Sequence, residues 1–486
     1  MFRRRWSSLP ADPIYGDTLE ELGYFVNEDD EIRAMENPDT YFKFFISKNT
    51  RWNDRQRFHL NCTYNCLKFA VVVLDEADKE CLSVAIEKIV HERLAEIGLE
   101  KLNLPLGTPS DQPHVPIFVS KNLAEAKRII VFIQDPCNEL GVLAYRIITG
   151  AGGINKGSMV MATKYIRETQ PDAGIVLANP GELWWWDGGK RALTQAGREA
   201  VPRKSAVNWR YDDPFHVGKH VIPGHFIPSE HIAGVFEHVL GNPKLCNPES
   251  SVDVIGLGLG GDPASDFFDL NWDSWKDRLK SFFIVGGTPS RDLMQNENYK
   301  QWTRDRALAF VLSDEPRGQV ISSAEGNNRT SYYTSFGCPV MSIGEPALTE
   351  LMFIQGYKFV LDKIKEISEA DSDPGDPGYK NPDHSDCDYE DAHLREMEEQ
   401  SEKVKAAWDA ADPDKLNWGE NDGPSTGDFV SNNPEGVTDG GGKESESKGD
   451  VVKGGLSHGA GGGSLLDPHA DNDIESNDLP RDGEDS

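Results

Sequence analysis

The sequence predicts an α/β layer structure with a mostly parallel sheet. Three observations carry that expectation. Apolar strands alternate with amphipathic helices over residues 115–367, one strand runs into a glycine-dense turn, and apolar residues thin out abruptly beyond the last helix. Ahead of the alternation, Leu22–Asn27, Ile32–Met35 and Tyr41–Ile46 are aromatic and β-branched runs bounded by Asn, Asp and Pro, which read as short antiparallel strands. Over residues 75–98 the period changes. Leu82, Ala85, Ile86, Ile89, Val90, Leu94 and Ile97 recur at three and four with charges between them, and Gly98 closes a helix. Val115–Val119 and Arg128–Ile133 are strands, the second so continuously apolar that both its faces must be covered. A helix near 156–169 leads to the strand Gly174–Asn179. An irregular insertion, about residues 181–229, separates that strand from a helix over Glu230–Leu240 and the strand Val252–Gly256. Ser281–Val285 and Pro339–Ile343 are further strands, Ala307–Leu312 is strand or helix, and residues 346–367 form a closing amphipathic helix.

The segment Ser251-Val-Asp-Val-Ile-Gly-Leu-Gly-Leu-Gly-Gly261 says most about chemistry. Strand, tight turn and helix in that order are the build of a nucleophile elbow, which lifts the serine of G-x-S-x-G above an α/β-hydrolase sheet. Here Gly258 holds the serine's place, within the set Gly256, Gly258, Gly260 and Gly261. Glycine has no side chain to attack a carbonyl, so the scaffold is a hydrolase's and the nucleophile is missing. The strand ending at Val285 leads into Gly286-Gly-Thr-Pro-Ser290, without a carboxylate. The last strand leads into Gly344-Glu-Pro-Ala347, without a histidine, and no histidine stands between Gly258 and the acidic tail. The remaining enzyme reading is an esterase using displaced residues such as Ser265 or Ser290.

Gly256, Gly258 and Gly261 also match G-x-G-x-x-G. A dinucleotide site needs a helix N-terminus free for pyrophosphate and an acid after the next strand, whereas Asp262 stands at that N-terminus and Gly286-Gly287 ends the next strand. No cofactor is expected. His216, His220, His225, His231 and His238 fall among Pro214, Gly218, Pro223, Gly224 and Pro228, which break any helix that would align them, so no metal site is expected either. Trp184-Trp-Trp186 allows two readings. The three rings are anchors for a protein partner, or they cap the sheet edge beneath the insertion.

Charge is unevenly spread. Of a net −31, residues from Ser368 onward contribute −23 through 32 acidic and 9 basic side chains, which leaves the body at −8. Residues 368–486 are expected to form a disordered acidic tail with a charged helix at 388–411, residues 1–17 a flexible lead-in, and residues 18–367 one domain. Arg3-Arg-Arg5, Lys190-Arg191 and Arg203-Lys204 are too few to make a phosphate-tracking surface, so direct nucleic-acid binding is disfavoured. Seven scattered cysteines without C-x-x-C spacing fit reduced thiols in a nuclear or cytosolic compartment. No apolar stretch follows Met1-Phe-Arg-Arg-Arg-Trp6 and none is long enough to span a bilayer, so neither a secretory leader nor a membrane anchor is expected.

Leu22–Asn27, Phe42-Lys-Phe44, Ile129–Ile133, Leu177-Ala-Asn-Pro180, the turn Gly256–Gly261 and Cys338–Gly344 follow one another in a telling order and spacing. Over residues 18–367 the chain resembles the Arb-type domain family, named for the Argonaute-binding protein (number two) of fission yeast. The resemblance implies an α/β-hydrolase-like three-layer sandwich. Animal relatives carry His-Ser-x-Gly-Gly at the elbow where this chain has Leu257-Gly-Leu-Gly-Gly261, and their histidine near the last strand falls at Pro346 or its neighbours. No catalytic role carries over. What the resemblance implies is a nuclear, non-catalytic interaction subunit with Argonaute or chromatin-silencing partners, acting in small-RNA-directed heterochromatin assembly. A related domain is fused to fungal class II histone deacetylases, which points the same way.

Overall fold

The computed structural model describes residues 16–39, 77–201, 217–327, 329–330, 336–372, 378–387, 389–390 and 402–403. The expected strand Tyr41–Ile46, nearly all of the expected helix 388–411 and residues 412–486 lie outside them, as do residues 1–15. At the N-terminus β1 (Tyr24–Val26) and β2 (Ile32–Ala34) form the anticipated antiparallel hairpin, with Phe25 opposite Arg33. Then come α1 (Ala77–Glu96), β3 (Leu99–Leu104), β4 (Val115–Ser120), β5 (Arg128–Ile133), α2 (Met159–Thr169) and β6 (Gly174–Ala178). The insertion is less irregular than expected. It holds a hairpin of β7 (Trp184–Trp186) and β8 (Arg191–Leu193), and α3 (Pro228–Gly234) follows it and runs on as a π-helical turn, Val235–Leu240. The chain continues through β9 (Ser251–Leu257), α4 (Gly261–Trp275), β10 (Leu279–Val285), α5 (Glu297–Arg306), β11 (Ala307–Val311), β12 (Val320–Ser322), β13 (Val340–Ser342) and α6 (Thr349–Ser372).

Nine of these strands build one sheet in the order β12-β13-β11-β10-β9-β5-β6-β4-β3. Pairing is parallel from β13 through β6 and antiparallel at β4, β3 and β12. Counted from the β3 edge, the eight strands through β13 run 1-2-4-3-5-6-7-8 with the second reversed, and the glycine turn follows the fifth. That is the α/β-hydrolase arrangement.

Strand periodicity divides the core in two. Ile130 and Phe132 of β5 pack with Ile86 and Val90 of α1, Val160 of α2 and Leu361 of α6. Ile129, Val131 and Ile133 face the opposite way, toward Ile232 of α3, Phe268 of α4 and Tyr299 of α5. A strand buried on both faces has no room for polar residues, which is why β5 reads as an unbroken apolar run. Burying such side chains supplies about 1.5–3 kcal/mol each. One polar tie crosses the sheet: Arg128 Nε meets Asp253 Oδ2 at 2.6 Å, and Asp253 Oδ1 accepts from Ser281 Oγ at 2.6 Å, joining β5, β9 and β10.

Described structure continues past residue 367. The α6 helix runs to Ser372, past the expected boundary at 367. Beyond it, Asn381 Nδ2 donates to the carbonyls of Arg304 and Ala307 at 3.0 and 2.8 Å, and Asn327 Nδ2 donates to the Tyr389 carbonyl at 2.8 Å. Asparagine hydrogen bonds hold this stretch together with two tyrosines, Tyr379 and Tyr389, packed against the cores, too few apolar residues for hydropathy to reveal it. Among the described residues no helix is long and apolar enough to cross a membrane.

Candidate functional site

The turn after β9 has the backbone of a nucleophile elbow. Gly258 has φ +53°, a conformation that strains any side-chain-bearing residue. Strand and helix approach so closely that a Cβ on Gly256 would fall 2.3 Å from Gly261 Cα, and Gly260 is buried in the single 3₁₀ turn Gly258–Gly260 between them. The four glycines thus lie together in one tight turn.

The sequence did not reveal what faces that turn. Asp135 lies just past the end of β5, the neighbouring strand, and a Cβ built on Gly258 would sit 1.9 Å from its Oδ2. The carboxylate accepts two backbone hydrogen bonds, from the Leu259 N–H to Oδ2 at 3.3 Å and from the Cys137 N–H to Oδ1 at 2.9 Å. In an α/β-hydrolase the oxyanion hole is made by the N–H of the residue after the nucleophile and an N–H from the loop after the third strand. Leu259 follows the serine's position, and Cys137 belongs to the loop after the third strand of the assembled sheet. Their donors are spent on the chain's own carboxylate.

The partner positions resolve differently. In the assembled sheet the strand after β10 is β11, and it leads to Ser313 and the exposed Asp314, so a carboxylate does follow a later strand. After β13, Glu345 is buried, and its Oε1 accepts the N–H groups of Ala347 and Leu348, both at 3.1 Å, capping the entry to α6. Ser265 shares a 3.2 Å hydrogen bond with Tyr299 Oη inside the core. Burial drives that phenol far above its ordinary value, so Ser265 faces a hydroxyl and not a base. The pocket over the turn, bordered by Asp135, Asn138, Gly258, Glu350 and Phe353, has a volume of about 40 Å³. Sites for drug-sized ligands are about ten times larger.

The chain matches the Arb2 domain over residues 15–317, more than half its length. It belongs to the Arb2 domain family. The match stops short of β12, β13 and α6, and the two strands complete one edge of the sheet beyond it. No curated protein matches the chain. Among solved structures, a carboxyl esterase from Bacillus coagulans is 10% identical over 40% of this chain and 46% of its own, with a TM-score of 0.22. The carboxylesterase EstE1 from a metagenomic library is 11% identical over 43% and 55%, with a TM-score of 0.23. A naproxen esterase from Bacillus subtilis is 10% identical over 58% and 97%, with a TM-score of 0.29. The chain thus spans about half the length of the first two esterases, and the fold rests on the strand order.

The tryptophan run of this Arb2 domain divides by strand alternation. Trp185 is 1% exposed and lies against His114, with ring centroids 5.0 Å apart. Trp184 and Trp186 are half-buried, and Trp184 sits between His220 at 4.6 Å and Arg198 at 5.6 Å. Trp185 therefore caps the core, while the other two lie on the opposite face. Beneath the hairpin is a buried charged cluster that the sequence reading missed. Arg191 Nη2 meets Glu87 Oε2 at 2.6 Å and approaches Glu182 Oε1 at 3.7 Å, and Glu182 Oε2 accepts from the Leu140 N–H and Asn179 Nδ2 at 2.9 and 2.8 Å. Burial, then the Glu87 charge, pushes Glu182 up to about 8 against the pull of Arg191.

Of the clustered histidines, His225 and His231 pair with each other. The Asn179 N–H donates to His231 Nε2 at 3.0 Å, so the proton of a neutral His231 sits on Nδ1 and points at His225 Nδ1, 3.1 Å away. Burial holds His225 down to about 4 and His231 well below its ordinary value. Among the described residues no cluster of three or more His, Cys, Asp or Glu is arranged to hold a metal. His216 lies outside them.

Proposed function

We propose that this Arb2 domain is a non-catalytic protein-interaction subunit that has kept an α/β-hydrolase scaffold. The observation that carries the reading is the Asp135 carboxylate, seated on the two oxyanion-hole N–H groups beside a glycine. Acyl transfer develops negative charge on the carbonyl oxygen, and losing one donor to that charge slows such enzymes by about 10²–10³. Here both donors are occupied by an anion that would repel the developing charge, and nothing at position 258 can attack. Family membership favours a place in a nuclear, Argonaute-containing or histone-deacetylase-linked complex of small-RNA-directed heterochromatin silencing. The half-buried Trp184 and Trp186 offer aromatic surface of the kind that anchors protein partners.

Two measurements test this. A fluorophosphonate probe applied to the purified full chain should leave it unlabelled. Covalent labelling abolished by one serine substitution would instead establish a serine hydrolase with relocated residues. Tagged purification followed by mass spectrometry should recover Argonaute or deacetylase-complex subunits, and recovery of neither class would remove the silencing assignment.

A further inference from the structure

With its two N–H groups taken by Asp135, the elbow pocket offers a ligand mainly acceptors. Asn138 lines it and is 6% exposed. Its Nδ2 donates to the Leu143 carbonyl at 3.4 Å, while its Oδ1 is buried without a hydrogen-bond partner among the described residues. Glu350, in the first turn of α6, has a side chain only 6% exposed and meets Arg146 Nε through Oε1 at 2.7 Å, with the Arg146 side chain 50% exposed on the outer side. Two carboxylates and one guanidinium leave an excess negative charge at the mouth, and no Lys or Arg is among the residues that line the pocket. Thr349 and Cys137 also border it, and Leu143, Leu257, Val285 and Phe353 supply an apolar wall.

We propose that this pocket takes a primary ammonium on an aliphatic stem, the side chain of a lysine presented by a protein partner. An ammonium carries three donors and no acceptor, so it answers both the unmet amide oxygen and the excess charge. It is compact, which suits a volume of about 40 Å³, whereas the wider planar guanidinium presents five donors in a fixed fork. The methylene stem packs on the apolar wall, as lysine stems do at protein surfaces. A hydrolase pocket built to stabilise an oxyanion has thus become a cation receptor through the placement of one carboxylate. The inference rests on the non-catalytic reading of the same site.

The test uses the full chain and ligand-observed NMR titration with the capped tripeptide Ac-Ala-Lys-Ala-NH2. The peptide should bind and be displaced by n-butylammonium, and its ε-acetylated form should bind at least tenfold more weakly. Glu350→Gln should weaken binding fivefold or more. Arg146→Gln, at an exposed position, frees Glu350 from its competing cation and should tighten binding, an outcome that misfolding cannot mimic. Equal binding of the acetylated peptide, or no tightening in Arg146→Gln, would overturn the proposal. If the tripeptide fails to bind while the fluorophosphonate probe still leaves the chain unlabelled, the lysine pocket falls and the interaction-subunit reading stands.

Discussion

Two carboxylates lie past the ends of neighbouring strands and meet opposite fates. Asp135, after β5, is half-buried and rests on two backbone N–H groups. Glu182, after β6, is 1% exposed and has an N–H, a side-chain amide and the Arg191 guanidinium around it, yet burial still pushes it up to about 8. Asp135 is a carboxylate that keeps contact with solvent and takes its two donors from a loop and from the turn before α4. A fully buried one, with Glu87 close by, needs a cation and still favours its proton. The first arrangement leaves an open, negatively charged surface, and the second makes a clamp under the tryptophan hairpin.

Breaking the clamp should have the largest effect. Arg191→Ala strands the buried Glu87 carboxylate without its cation, and removing one partner of a buried ion pair costs about 3–5 kcal/mol. Chemical denaturation should show that loss, and a change under about 1 kcal/mol would mean the cluster is already wet. Trp185→Ala should cost a similar amount, about 3–5 kcal/mol, because it empties a core position.

The elbow should respond more mildly and in a coupled way. Gly258→Ser alone forces Cβ into Asp135 at φ +53°, and strain of that kind costs about 1–3 kcal/mol. Adding Asp135→Ala should recover part of it, so the double variant is more stable than the two single losses predict. Strict additivity would show that Asp135 does not occupy the serine's space.

A subtler difference lies in pH dependence. Glu182 has a folded value raised to about 8 from 4.5, so between those values the folded chain holds a proton that the unfolded chain has released. Its contribution to stability is full below about 4.5 and is lost as pH rises through 8. Glu182→Gln should flatten stability between pH 5 and 8. His225 acts in the opposite sense: lowered to about 4 from 6.5, it contributes stability that is lost as pH falls from 6.5 toward 4. Smallest of all, Trp184→Ala with Trp186→Ala should change stability less than Trp185→Ala while weakening partner capture in pulldown. Unchanged capture would take the hairpin out of the interface.

The elbow region shows how much of this was legible. The continuous apolar run of β5 and the glycine spacing after β9 identify the scaffold, because both patterns are local. Asp135 is invisible as a site residue, since its role comes from a neighbour 124 positions away that the sheet brings alongside. Its one local mark is an acid just past a fully buried strand and just ahead of Pro136. The ambiguity of Ala307–Leu312, strand or helix, hid Asp314 for a similar reason: whether an acid follows a later strand depends on how many strands precede it. Leu99-Glu-Lys-Leu-Asn-Leu104 alternates poorly, and the three tryptophans not at all, so β3 and the hairpin emerge only from pairing.

The seating of Asp135 in the oxyanion hole can be read directly from the amide protons of Leu259 and Cys137 by NMR. In Asp135→Ala both should move upfield together, as hydrogen bonds to a carboxylate are lost, while distant amides stay in place. If either proton keeps its shift, the carboxylate is not where the hydrolase chemistry would have to happen, and the account fails.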